Sequence, residues 1–171
     1  MMNEQAIVAE MVRYINTTLE QAHATFGDLP ICPFVRQARL NHKVEFFVYP
    51  FESQDILNSD SRLFTTIRAF FQNPNQDVLV VIHPDPEAFD FPQFQSYLDQ
   101  LNTQLHAAEL IAFGGHPHDL FNVQGVRTRQ DPFINFTVQS KEKLEQASTQ
   151  LLKTGYYKNW SDENLRSIRS L

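Results

Sequence analysis

The run Asp77–Ile82, DVLVVI, decides the fold. Turn-forming Asn73, Pro74 and Asn75 precede it and His83-Pro84 follows. An unbroken apolar run of strand length between turn signals reads as a central strand covered on both faces. On its N-terminal side, Ile56, Leu57, Leu63, Phe64, Ile67, Phe70 and Phe71 predict a helix over Ser53–Phe71, broken near Ser59–Ser61. Before that, KVEFFVY at Lys43–Tyr49 is rich in β-branched and aromatic residues, a strand that Pro50 closes. Ala6, Ile7, Met11, Val12, Ile15 and Leu19 recur at spacings of three and four, which predicts an amphipathic helix from about Asn3 to His23. Gly27–Pro30 ends that helix and leaves FGDLPICPF as a loop.

Downstream, Phe94, Tyr97, Leu98, Leu101 and Leu105 form the stripe of a helix over Pro92–Ala108, with the proline suited to its first turn. Leu110–Phe113 is a short third strand running into Gly114-Gly115-His116-Pro117, and an irregular stretch continues to Pro132. Phe133–Gln139 alternates as a fourth strand. Lys141–Leu152 is a helix stopped by Gly155, and Ser161 is placed to cap a short last helix. The order α-β-α-β-α-β-β-α predicts one α/β domain over residues 1–171, with about four strands in a mixed, mostly parallel sheet flanked by helices. Its two β-α-β units imply parallel pairing through right-handed crossovers, with the fourth strand expected as an antiparallel edge.

Composition narrows the function. With 42% hydrophobic and 20% charged residues, the chain can build a sizeable core. Fifteen Phe against one Trp place much aromatic surface in that core or around a pocket. A net charge of -6, with 14 scattered Lys and Arg, argues against nucleic acid and against anionic membrane surfaces. Its single cysteine cannot form an internal disulfide. The opening MMNEQAIVAEMVRYIN has neither a basic start nor an uninterrupted apolar run. The expectation is therefore a cytoplasmic protein without a signal peptide. Motifs for phosphate loops, dinucleotide binding, zincins and nucleophile elbows are absent from the sequence.

Ligands of open α/β sheets sit beyond the carboxyl ends of the strands. His83 ends the second strand, and His116 and His118 follow the third, so they are expected to face one crevice. Pro117 biases His116 toward extended geometry, which leaves it as a general base or as a metal or haem ligand, or else as part of a solvated Gly-Pro turn. His83 reads either as a site residue or as a histidine bonded to backbone at a strand end. Cys32 precedes Pro33, with Arg36 and Arg39 nearby. A helix starting at Pro33 would lower its thiol pKa, while the plainer reading is a small buried hydrophobe. Arg127 and Arg129 could grip a carboxylate or phosphate, or pair with Asp119 and Asp131. A zinc site from His83, His116 and His118 has no signature spacing behind it.

CPF after the first helix, a strand running into HP followed by Phe89 to Phe94, HP-x-x-x-F at His116–Phe121 and DP-x-x-x-F at Asp131–Phe136 together resemble an uncharacterised bacterial family, a domain of unknown function. The resemblance spans about Cys32 to Ala147. The chain departs from it by reading GGHPHD where that family has an aromatic before HP, and by Arg129-Gln130-Asp131-Pro132 in place of an Asn-Arg-Ser-Pro-like stretch. The family implies a site location and no reaction. The early Pro/Cys motif and the Gly-x-His-Pro segment at Gly114–Pro117, followed by arginine, are similar to haem-dependent N-hydroxylases of the guanitoxin-pathway kind, a similarity that implies His116 as haem ligand within a Phe-rich interior. The expectation is an enzyme or haem-binding protein acting on a small acidic molecule. Its catalytic candidates are His116, Cys32 and His83, and its ligand-binding candidates are His118, Asp119, Arg127, Arg129 and Asp131. The alternatives are a non-catalytic module that binds a small molecule or a protein, and a redox role for Cys32. Oligomeric state is left open.

Overall fold

The computed structural model describes residues 2–169. In chain order the elements are α1 (Glu4–Tyr14), a π-helical turn (Ile15–Leu19), β1 (Ala22–His23), β2 (Leu29–Pro30), α2 (Pro33–Leu40), β3 (Val44–Val48), α3 (Ser53–Leu57), α4 (Arg62–Phe71) and β4 (Val78–Ile82). There follow α5 (Phe91–Leu105), β5 (Leu110–Gly115), the hairpin β6 (Asn122–Val123) and β7 (Val126–Arg127), β8 (Asn135–Ser140), α6 (Lys141–Leu151) and α7 (Asp162–Arg169). Local chemistry sets the boundaries. The Asn3 side chain accepts from the Ala6 N–H at 2.8 Å to start α1, and Asp90 and Gln93 form a capping box at α5. Ser61 and Ser161 accept from Phe64 and Asn164 at the starts of α4 and α7. The predicted break near Ser59–Ser61 separates α3 from α4. The long first helix is shorter than expected: it widens into a π turn after Tyr14 and ends at Leu19, where the Leu19 carbonyl accepts from the Cys32 N–H at 2.9 Å.

The main sheet is mixed, with strand order β3-β4-β8-β5. β3 and β4 are parallel, while β8 runs antiparallel to both its neighbours. The fourth strand expected at the edge thus lies in the interior, and most pairing is antiparallel rather than parallel. The reason is a split β-α-β unit. The crossover through α5 carries the chain past one strand position, and β8 returns through the β6–β7 hairpin to fill the gap between β4 and β5. On the edge strand β5, the Asn102 side chain takes the place of a neighbour: it accepts from Ala112 N–H at 2.7 Å and donates to Ala112 C=O at 3.0 Å.

Strand alternation divides the core. Leu79, Val81, Ala112, Phe136 and Val138 meet α3, α4 and α5, with Phe51, Phe94 and Tyr97 fully buried among them. Val78, Val80 and Ile82 face α1 and α2 through Ile7, Met11, Ile15 and Val35. Gly114 is required for α5 to lie close, because a Cβ there would sit 2.4 Å from Leu98 Cδ1 and 2.7 Å from Phe94 Cε1. A third cluster of Phe26, Ile31, Val123 and Tyr156 joins the early loop to the segment after α6. There Gly27, at φ +66°, abuts Gly155 so closely that a Cβ would lie 2.7 Å from its carbonyl carbon.

Phe136 is fully buried, with its ring 5.1 Å from that of Phe51. Phe136→Ala leaves a cavity at the centre of the sheet and should cost about 3–5 kcal/mol. Urea denaturation measures this directly, and a loss under about 1 kcal/mol would show that β8 is not held between β4 and β5.

Candidate functional site

The cavity lies on the α1–α2 face, at the β5–β8 end of the sheet. The register places Asn135 beside Gly115, Thr137 beside Phe113, and Gln139 beside Ile111. Asn135, Thr137 and Gln139 therefore form a polar stripe on one face of β8, while Phe136 and Val138 enter the core on the other. Over that stripe the start of α2, α6 and the segment Tyr156–Trp160 enclose a cavity of about 230 Å³. Cys32, Phe34, Phe121, Leu144, Leu151 and Trp160 supply much of its wall, and Arg129 and Asp131 its charge. Tyr156 holds the outer wall by donating to the Ile31 carbonyl, and Asn159 does so by donating to the Thr25 carbonyl at 3.0 Å.

The polar end of the cavity depends on close backbone approach. Gly115 has no Cβ, and one placed there would lie 2.1 Å from Asp131 Oδ2. The same oxygen accepts from Asn135 Nδ2 at 2.7 Å, and the Tyr14 phenol adjoins the carboxyl. Asp131 is 6% exposed. Burial pushes its pKa up to about 6, with nearby Asp119 adding to the rise while Asn135, Tyr14 and Arg129 oppose it. Arg129 stacks its guanidinium on Phe121, 4.0 Å from the ring centroid. Burial pulls its pKa down, against the pull of Asp119 and Asp131. No ion pair to Arg129 occurs among the described residues.

Cys32 is half-buried at the wall. A helix does begin at Pro33, yet the thiol pKa is raised. Burial is the largest cause, Asp131 and Glu20 add to it, and the Val35 backbone works in the opposite direction. The arginines nearby in sequence do not offset this: Arg39 pairs with Glu20, and Arg36 is exposed. Arg127 is exposed as well, donating to the Asp119 carbonyl at 3.2 Å from the hairpin. Asp119 is buried and accepts from the Phe121 N–H at 2.8 Å.

The two strand-end histidines lie on the opposite face. Gly115 points into the cavity, so the next residue, His116, points toward α5. His116 is fully buried, with its ring 5.5 Å from Phe91 and 5.7 Å from Phe94. Its Nδ1 accepts from the His118 N–H at 3.0 Å, so Nε2 carries the hydrogen and donates to the Phe89 carbonyl at 3.1 Å. The His83 ring packs against Phe51 at 5.0 Å and Phe89 at 6.1 Å. Its Nδ1 engages Asp85 backbone, and burial lowers its pKa. These histidines converge, as their places in the sequence imply, but on Phe89 and the loop before α5. His118 is exposed. Haem ligation by His116 does not fit this arrangement, since both ring nitrogens are engaged and the residue does not line the cavity. Among the described residues, no group of three or more His, Cys, Asp or Glu side chains could hold a metal ion.

Trp160, Tyr156, Thr137 and Gln139 escaped the sequence reading. The alternation Asn135-Phe136-Thr137-Val138-Gln139 carried the signal, but a polar face looks solvated until its strand is known to be interior. Comparisons with protein-family models, with curated proteins and with solved structures find no match. No helix among the described residues is long and apolar enough to cross a membrane.

Asp131 binds its proton more tightly in the fold, at about 6, than at its ordinary value of 3.8. The native protein therefore carries more protons than the unfolded chain between those pH values. Stability should fall as pH rises through that window, by about 2–3 kcal/mol in total, and then level off. His83, with its lowered pKa, contributes the opposite slope, so the measurement is the difference between native protein and Asp131→Asn in urea titrations at pH 4–7. A difference that does not change with pH would contradict the burial of an unpaired carboxyl here. Gly115→Ala forces a Cβ onto that carboxyl and should cost about 1–3 kcal/mol by the same assay.

Proposed function

We propose that this chain binds a small acidic molecule with a flat apolar body in the cavity beneath α6. The observation that carries this reading is Arg129. Its guanidinium borders the cavity, is backed by the Phe121 ring, and forms no ion pair among the described residues. A half-buried guanidinium left without an ion-pair partner is costly, and a carboxylate or phosphate offers it bidentate, charge-assisted hydrogen bonds. Phe34, Phe121, Tyr157 and Trp160 supply aromatic walls for the rest of the ligand. At about 230 Å³, the cavity suits a ligand with one ring rather than a nucleotide or a porphyrin. An acidic chain without a concentrated basic face is a poor nucleic-acid partner. A lone cysteine without a disulfide partner suits a cytoplasmic setting.

Trp160 is the sole tryptophan and borders the cavity, so its fluorescence reports occupancy. Titration with 3-phenylpropanoate should change the emission saturably and raise the melting temperature by mass action. The isosteric amide should bind more weakly. Arg129→Met keeps the apolar stem and removes the charge, which should cost about 1.5–3 kcal/mol, or roughly tenfold to a hundredfold in Kd. Equal affinity for acid and amide, or an unchanged Kd in the variant, would overturn the anion reading.

A further inference from the structure

We infer that Asp131 is the proton-transfer group of an isomerase acting on a small aromatic 2-oxo acid whose carboxylate Arg129 holds. This inference rests on the cavity being an anion site. The geometry that suggests a reaction, beyond binding, is an ion pair that is not made. Arg129 and Asp131 are two residues apart, so their Cα atoms are within about 7 Å, and both border the same cavity. With Asp131 buried and Arg129 half-buried, the two charges would gain by pairing. Instead Phe121 stacks the guanidinium, while Asn135 and the missing side chain of Gly115 fix the carboxyl against β5. A carboxyl held away from its natural counter-ion keeps the basicity that an ion pair would remove.

The groups around it suit the same task. Tyr14 from α1, Cys32 at the start of α2, Asp119 and Arg129 from the loops, and Asn135 from β8 surround Asp131. Of these only Arg129 carries a positive charge. The carboxyl titrates at about 6, near the pH at which a base of modest strength works best. The π-helical turn right after Tyr14 interrupts α1 at the point where that side chain reaches Asp131, a place where such turns often mark function.

A ligand carboxylate on Arg129 has its third carbon two bonds further on, in the cavity that Asp131 also borders. In a 2-oxo acid, that C3–H is acidified by the neighbouring ketone. The C3–H bond breaks and its proton passes to an Asp131 carboxylate oxygen. The electron pair becomes the C2–C3 double bond, the ketone oxygen takes a proton from water to complete the enol, and Asp131 gives its proton to the hydroxide left behind, which regenerates water and the carboxylate. The reverse steps restore the ketone, so nothing is oxidised or reduced and no other reactant is needed. The aromatic walls then face the ring conjugated with the enol.

The test uses phenylpyruvate in D2O. NMR follows loss of the C3 hydrogens, and Trp160 fluorescence follows binding. Native protein should accelerate exchange above the buffer rate, with a rate that rises with pH through about 6 and then levels off. Asp131→Asn should slow exchange by about 10²–10⁴-fold while Kd changes only a few-fold, and Asp131→Glu should restore part of the rate. Melting curves confirm that the variants are folded. Saturable binding with exchange at the buffer rate, or an Asp131→Asn rate equal to the native one, overturns the proton-transfer role and leaves anion binding intact. Absence of phenylpyruvate binding, together with no response to 3-phenylpropanoate, overturns both.

Discussion

The site depends on the pairing of β8 with both β4 and β5. Because β8 enters between two strands that a crossover has already set parallel, both of its backbone edges are satisfied and both of its faces are covered. A strand in that position can carry polar side chains only where something other than solvent meets them. Asn135 meets Asp131, and Thr137 offers its hydroxyl to the Phe113 carbonyl at 3.5 Å while accepting from Gln139 at 3.3 Å. The remaining space over the stripe is the cavity. An apolar residue at each of these positions would let α6 and α2 close onto the sheet as α4 and α5 do on the other face.

Strand alternation also decides which residues share the cavity. Gly115 and His116 are adjacent in sequence, yet one lies beneath Asp131 and the other beneath Phe91. A shift of one residue in the register of β5 would exchange them. The histidines then have a mechanical role. Through Phe89 and Asp85 they fasten the loop that leads from β4 into α5, with nitrogens that would otherwise be available to a ligand.

Much of the fold is legible in the sequence because its signals are local. The DVLVVI run, the break before Arg62 and the Ser161 cap all lie where residue type and spacing put them. The position of β8 is not legible, because an alternating strand reads the same at an edge as in the interior and only its partners distinguish them. The site divides in the same way. Arg129, Asp131 and Cys32 could be picked out as reactive residue types, and they do gather at one cavity. Whether Cys32 is acidified depends on burial against α2, and whether Arg129 is paired depends on three-dimensional distance. Neither property is encoded in nearby sequence. Tyr14 reads as one more residue on an amphipathic helix, and only the fold shows it beside Asp131.

The hydrogen bonds from Tyr156 to Ile31 and from Asn159 to Thr25 join parts of the chain more than a hundred residues apart. Loop-closure entropy makes such contacts unfavourable until the intervening chain is already ordered. The outer wall of the cavity therefore closes only on a chain whose intervening segments are already in place. Those two side-chain bonds are separate from the strand ladder, so the cover of the polar stripe and the pairing of β4, β8 and β5 beneath it are held by different forces.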